Sequence, residues 1–279
     1  MFASSRSRIK LLALLCMTLN HFAHMFLPGS SPLAMVLTGI GYFTAPVMCM
    51  YLVDGYFYTH SRRGYLKRLL ITALLSQLPF WLAFRIPFQL NMLFSLTFCL
   101  LLLTVAEEMK GSPYRKPLLA LLFFVCTFFS DWSAFAPAMV LLFLAARGVR
   151  EKKLYGFLFA MLGLSIDAVM TGFTLHEPLP LFCFRLFSVN AGPLLALLIA
   201  YPAEPAFTRP DPRAEAPQQK TPAGASSRAA GVSQWFFYLY YPLHLTVLVL
   251  LKHFVFVLAK RRIQRRRRIA ISKIAIQIG

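Results

Sequence analysis

Lys10 and His21 are the residues of this chain best suited to chemistry: a cation, ten intervening residues, then an imidazole inside the apolar run from Leu11 to Leu27. On a helix, eleven steps of ~100° come back to within about 20° of the starting direction and advance ~16 Å along the axis. Both side chains therefore project from one face. Burying a titratable group in hydrocarbon without a partner costs several kcal/mol, which makes an intramembrane histidine a functional candidate by default. Imidazole ordinarily titrates at about pH 6.5, close to operating pH, so His21 is suited to take a proton as a general base. The structural alternatives are a core histidine bonded to a neighbouring helix and a lysine that anchors the helix at the membrane edge.

Such a pair has to be held by membrane helices. The 279 residues are 58% hydrophobic with a mean hydropathy of +0.62, and 27 phenylalanines stand against ten acidic residues. That composition excludes an ordinary soluble domain and points to an all-α, polytopic membrane helix bundle. Hydropathy predicts spans near 9–28, 33–57, 66–84, 89–106, 117–131, 134–147, 154–171, 179–200 and 235–259, a bundle of about 8–10 transmembrane helices. The stretch 117–147 is short for two upright spans, which predicts short, tilted or re-entrant helices around a turn at Ser130, Asp131 and Trp132. Pro79 predicts a break in the third span. The basic, then apolar, start is like a signal peptide, but Asn20 and the bulky residues beyond it offer no small-residue cleavage site, so it reads as a retained first span. Five cysteines, at 16, 49, 99, 126 and 183, stand singly in apolar runs and read as small buried hydrophobes, with no metal spacing or disulfide framework.

Basic residues cluster before the first span (Arg6, Arg8, Lys10), after the second (Arg62, Arg63, Lys67, Arg68), after the fourth (Lys110, Arg115, Lys116) and after the sixth (Arg147, Arg150, Lys152, Lys153). This alternation predicts a cytoplasmic N-terminus in a bacterial inner membrane. Nine spans would leave the basic tail on the opposite side, which the same rule disfavours, so a miscounted or non-crossing segment is expected. Residues 1–200 read as one transmembrane domain, 201–233 as a disordered Pro/Ala-rich linker, 234–259 as the final transmembrane segment of the same domain and 260–279 as a basic tail. The tail run KRRIQRRRR carries much of the +19 net charge and reads as a solvated cap or an anchor to anionic lipid. Nucleic-acid binding is disfavoured, because no aromatics interleave the run for stacking.

The stretch from Ile9 to Phe84, which begins IKLLALLCMTLNHF and contains LVDGYFYTHSRRGYLKRLL and SQLPF, together with LNMLFSLTFCLLLL from 90 and QWFFYLYYPLHL from 234, resembles the TraX family. TraX proteins look like a branch of the acyltransferase-3 superfamily, whose signature is a basic residue, ten residues and a His on the first helix. The family prototype is associated with N-terminal acetylation of pilin during conjugation. The resemblance implies acetyl transfer from acetyl-CoA, without a metal, to an amine or hydroxyl of a membrane-associated acceptor, whether peptide, lipid or glycan. One position departs from the pattern. The family usually has Asp-His where this chain has Asn20-His21, and Asn can neither hold a negative charge nor accept a proton.

Under that resemblance His21 takes the proton of the attacking group, with Asn20 and with His244 of the Tyr-Pro-Leu-His motif as further catalytic candidates. Lys10, Arg62, Arg63, Tyr65, Lys67 and Arg68 are the candidates for acyl-CoA, Tyr65 and Arg68 fitting a Tyr-x-x-Arg-Leu pattern. His24, Asp54, Gln77, Asn91 and Tyr241 are expected to line the cavity, with an Asp54–Arg68 ion pair as the structural role for Asp54. Asp131, Asp167, Arg185 and Asn190 read as polar intrusions outside the catalysis, Asp167 and Arg185 neutralising each other. Two other classes stay open. One is a transporter, against which the lack of self-similarity between the halves counts; the other is a non-catalytic assembly factor for an envelope structure, which needs neither Lys10 nor His21.

Overall fold

The computed structural model of the chain describes residues 5–86, 88–109, 113–147, 149–203 and 234–278, with side chains as far as Lys260. Among these residues the α-helices run in the order α1 (Ser5–Phe26), α2 (Pro32–Gly41), α3 (Thr44–Tyr58), α4 (Arg62–Phe84), α5 (Met92–Glu108), α6 (Arg115–Cys126), α7 (Phe135–Ala145), α8 (Lys153–Thr174), α9 (Leu179–Ala203) and α10 (Gln234–Ile278). Six segments are long and apolar enough to cross a membrane: α1, α2 with α3, α4, α8, α9 and α10. The protein is a multi-pass membrane protein. Each span read from hydropathy corresponds to a helix, the second being parted into two at Tyr42 and Phe43. Residues 204–233, nearly all of the expected linker, lie outside the described residues.

Side-chain caps fix where helices start. Ser31 Oγ accepts from Ala34 N at 3.2 Å with Pro32 in the first turn of α2, and Ser61 Oγ accepts from Gly64 N at 3.0 Å at the start of α4. Asn91 Oδ1 accepts from Leu93 N at 3.0 Å and so starts α5. Two expectations need correction. Pro79 does not break its span, because α4 passes through it to Phe84 and ends on Arg85 in the left-handed region. In hydrocarbon, unwinding the last turn would strand more backbone groups than the single hydrogen bond a proline removes. Cys16, Cys49 and Cys99 are buried as expected, but Cys126 is half-buried and Cys183 exposed. The outer face of a membrane helix meets lipid, where a thiol needs no protein cover.

The expected turn between α6 and α7 is stitched to the segment that precedes α5. Leu90 N donates to the Phe129 carbonyl and Asp131 N to the Leu90 carbonyl, each at 2.8 Å, and Ser95 Oγ lies 2.8 Å from Ser130 Oγ. Trp132 takes φ 63°, a sparsely populated conformation for a bulky residue, and its N–H bonds the Asp131 carboxylate at 3.0 Å. Irregular backbone survives at membrane depth where it is covered by protein or lines a cavity.

α3 is the buried centre of the bundle, with Val47, Cys49, Met50 and Tyr56 fully covered. Without a hydrophobic drive between helices in lipid, close packing holds such a bundle together. A Cβ on Gly39 of α2 would fall 1.9 Å from the Ser188 carbonyl oxygen of α9, and one on Gly192 2.3 Å from the Gly39 carbonyl oxygen, so that crossing needs glycine on both sides. The basic stretches gather at one end, as their alternation predicts. Arg62 pairs with Glu108, Lys116 Nζ donates to the Ala106 carbonyl at 2.7 Å, and Arg147 meets Glu107 at 3.7 Å. α10 runs parallel to α1, its Phe237 ring 5.7 Å from Lys10 Nζ and its His244 against His21. The last span is therefore a full crossing whose tail begins opposite the basic loops, and the helix continues through that tail to Ile278.

Candidate functional site

The contact between α1 and α10 builds the site. His21 and His244 are both buried, their rings 5.1 Å apart and 11° from parallel, with His21 Nδ1 2.8 Å from His244 Nε2. Nδ1 of His244 lies 2.9 Å from the Tyr240 carbonyl oxygen, one turn earlier on α10. A carbonyl only accepts, so that Nδ1 carries the proton and Nε2 of a neutral His244 is an acceptor. His21 Nδ1–H donates to it, which leaves the His21 lone pair on Nε2. No described residue bonds this nitrogen. His21 faces a cavity of about 280 Å³, the far cavity, whose wall also holds Asn20, His24, Gln89, Asp131 and Tyr241. His244 stands behind His21, as the group that orients it.

The far cavity adjoins a narrow waist of about 140 Å³, the two sharing Met17, Thr44, Met92 and Tyr241. The waist in turn adjoins a mouth of about 470 Å³ at the basic end, sharing Lys10, Tyr51, Tyr65, Phe237 and Tyr238. Three adjoining spaces thus lie in series between the basic end and His21. Lys10 Nζ lies 5.4 Å from the Tyr51 ring centre, and the Arg68 guanidinium lies 6.0 and 5.9 Å from those of Tyr65 and Tyr238. Among the described residues buried Arg68 Nε has no hydrogen-bond partner, so this cation, in the wall of the mouth, keeps donor capacity for an anion. Tyr65 is seated on Gly55, where a Cβ would come within 3.2 Å of its hydroxyl.

The other expected residues divide. Arg62 is taken up by Glu108 and by the face of Tyr56, 4.4 Å away, while Arg63 and Lys67 are exposed. The Tyr56 hydroxyl donates to Glu108 at 2.7 Å, and this bond, with Arg62 beside it, holds the Glu108 carboxyl below its ordinary range. Asp54 is buried against Arg6 Nη2 at 3.0 Å, not against Arg68, because Arg68 turns toward Tyr65 and Tyr238. Asn91 Nδ2 donates to Gln77 Oε1 at 2.9 Å and to the Ala73 carbonyl at 2.8 Å, and Gln77 Nε2 to the Gln89 carbonyl at 2.8 Å. These two amides brace the segment before α5 against α4. Asn20 Nδ2 donates to the Thr38 carbonyl at 3.1 Å and packs on Gly41, clamping α1 to α2 at the cavity edge.

Arg185 pairs with Glu177, with Nε to Oε2 at 2.9 Å, in place of the expected Asp167 partner, since the loop before α9 brings Glu177 over it. Asp167 and Arg185 line a side cavity of about 400 Å³ that shares His24 and Tyr42 with the far cavity. Asp131 is the residue that sequence reasoning set aside and the fold brings in. The stitched turn carries it into the far cavity, and among the described residues no cation pairs with it. Its signal was the polar Ser130-Asp131-Trp132 interruption of an apolar run.

A family model described as TraX protein matches residues 5–252. In Dichelobacter nodosus, the probable fimbrial assembly protein FimC, serogroup H1, is 29% identical to this chain over 191 residues, which make up 62% of this chain and 77% of that protein. No solved structure matches this chain.

Proposed function

The chain belongs to the TraX family, and on that premise we propose that it is a membrane acyltransferase that moves acetyl from acetyl-CoA to an amine or hydroxyl of a membrane-associated acceptor. The observation that carries this reading is the series of adjoining spaces between the Lys10 and Arg68 mouth and His21, whose Nε2 is unbonded among the described residues. CoA phosphates suit the mouth, where Arg68 and Lys10 offer cationic donors between aromatic faces. From Lys10 to His21 the helix rises ~16 Å, a distance for an extended pantetheine arm to cover through the waist. In this reading the thioester lies at the junction of waist and far cavity. His21 Nε2 accepts the proton of the attacking nitrogen or oxygen, His244 fixes its tautomer, and Asp131 holds a cationic acceptor or the imidazolium that forms. The basic end faces the cytoplasm of a bacterial inner membrane, where acetyl-CoA is made, and the acceptor enters from the far end or through the side cavity.

The name of the Dichelobacter relative, a probable fimbrial assembly protein, favours a second reading, a non-catalytic assembly factor for a surface fibre. Acetyl-CoA binding by the purified protein in nanodiscs separates the two without knowledge of the acceptor. The expected result is salt-sensitive binding in the micromolar range, weakened at least about ten-fold by Lys10→Gln or Arg68→Gln and by less than about two-fold by His21→Ala. Folded wild-type protein that binds no acetyl-CoA would leave the assembly reading in possession.

A further inference from the structure

Four residues line both the waist and the far cavity, and they surround the point where a thioester carbonyl would meet the base: Met17, Thr44, Met92 and Tyr241. The side chains of Met17 and Met92 have no donor. Thr44 Oγ1 already donates to the Ala13 carbonyl at 2.8 Å. Tyr241 is 4% exposed, and its buried hydroxyl has no hydrogen-bond partner among the described residues. A buried phenol left unpaired in a native structure calls for a ligand or a function. Its ring stands 6.2 Å from that of His21 and nearly perpendicular to it, so base and hydroxyl share one wall.

Beside it begins α5. The Asn91 side chain caps Leu93 N at 3.0 Å and the Asn91 carbonyl takes Phe94 N at 3.0 Å, which leaves Met92 N–H as an orphan donor of the first turn. Met92 and Tyr241 line the same two spaces, so this donor and the phenol flank one junction. Met92 is the first residue of α5, so the positive end of that helix dipole lies at the same junction.

We propose that the Tyr241 hydroxyl and the Met92 N–H form the oxyanion hole of the acyl transfer. The inference rests on the acyltransferase reading. In the step it serves, the acceptor nitrogen or oxygen bonds the thioester carbon while the C=O π electrons move onto oxygen, where Tyr241 O–H and Met92 N–H hold the charge. The acceptor's proton passes to His21 Nε2. Collapse restores C=O and breaks C–S, and the departing thiolate takes the proton from His21 to leave as CoA thiol.

The test follows thiol release from acetyl-CoA in nanodiscs with hydroxylamine as a small amine acceptor. Tyr241→Phe keeps the ring and removes the donor. It should lower kcat by about 100–1,000-fold while acetyl-CoA affinity and the melting temperature stay at wild-type values. Asn91 already sits at φ −72°, ψ 166°, the extended region a residue before proline needs, so Met92→Pro deletes the amide donor at a helix position where proline is accepted. Relative to Met92→Ala, it should lose a further ten-fold or so. Wild-type turnover no greater than that of His21→Ala would sink the acyltransferase reading itself. Normal wild-type turnover with an equally active Tyr241→Phe, or Met92→Pro equal to Met92→Ala, overturns the oxyanion assignment alone. If Tyr241→Phe unfolds, the Met92 ratio decides.

Discussion

Replacing His244 by Ala tests whether His21 depends on a partner behind it. The substitution removes the acceptor 2.8 Å from His21 Nδ1 and strands that N–H in a buried site. Losing such a bond between neutral groups and leaving the donor unpaired is worth about 1–3 kcal/mol. Charged to the reactive arrangement, that is a fall of about 5–150-fold in kcat, since the other tautomer presents N–H rather than a lone pair to the acceptor. Acetyl-CoA affinity should not move, because His244 is outside the wall of all three spaces. His244→Gln returns an acceptor oxygen at similar reach and should recover the rate to within about ten-fold of wild type. Thiol release with hydroxylamine, read beside acetyl-CoA binding and a melting curve, measures all of this. Wild-type kcat in His244→Ala, or a folded His244→Gln no better than His244→Ala, refutes the orientation argument.

Asn20→Asp places a carboxylate where an amide now donates to the Thr38 carbonyl, so the expected outcome is a lower melting temperature, from the loss of about 1–3 kcal/mol, with no gain in turnover. Asp131→Asn removes the carboxylate of the far cavity and should lower kcat with an amine acceptor by ten-fold or more, leaving acetyl-CoA binding intact; unchanged kcat would remove Asp131 from the mechanism. Gly192→Ala drives a methyl into the Gly39 carbonyl and should abolish the monodisperse folded peak in detergent chromatography. Glu177, in the loop between α8 and α9, is held below its ordinary range by its hydrogen bond to Arg185 and by that residue's charge. A lowered carboxylate contributes stability above its ordinary value and loses it as pH falls through the lowered one. The melting temperature should thus fall as pH drops from about 6 toward 3, and Glu177→Gln should flatten that dependence.

Hydropathy made the helices legible because a lipid-spanning segment has to be apolar along its length. The basic loops likewise foretold which ends would meet. Lys10 and His21 could be paired from spacing alone, since both sit on one regular helix. Partnerships across helices were not legible. Asp54 could have been given Arg6 or Arg68, and only the packing of α1 against α3 selects Arg6. Gln77 and Asn91 announced themselves as polar groups at membrane depth, yet whether they face a cavity or each other depends on how the 85–91 segment folds back on α4. Asp131 was obscured for the same reason: the hydrogen bonds that bring it to His21's cavity are made by the backbone of Leu90 and Phe129, and backbone donors leave no mark in a sequence.

Asn20 and His244 divide two tasks in this geometry. A carboxylate set behind an imidazole at membrane depth needs desolvation of a full charge and a counter-cation, a cost that the Coulomb gain repays only with close pairing. The partner behind His21 here is neutral: a second imidazole whose own proton is held by a helical carbonyl, so His21 is oriented without any buried charge in the resting state. Position 20 faces α2 rather than the imidazole and joins α1 to α2, a task in which a donor amide serves and a carboxylate does not. Charge balance is needed only once His21 has taken a proton. Asp131, carried into the cavity wall by the turn between α6 and α7, is where that balance can come from.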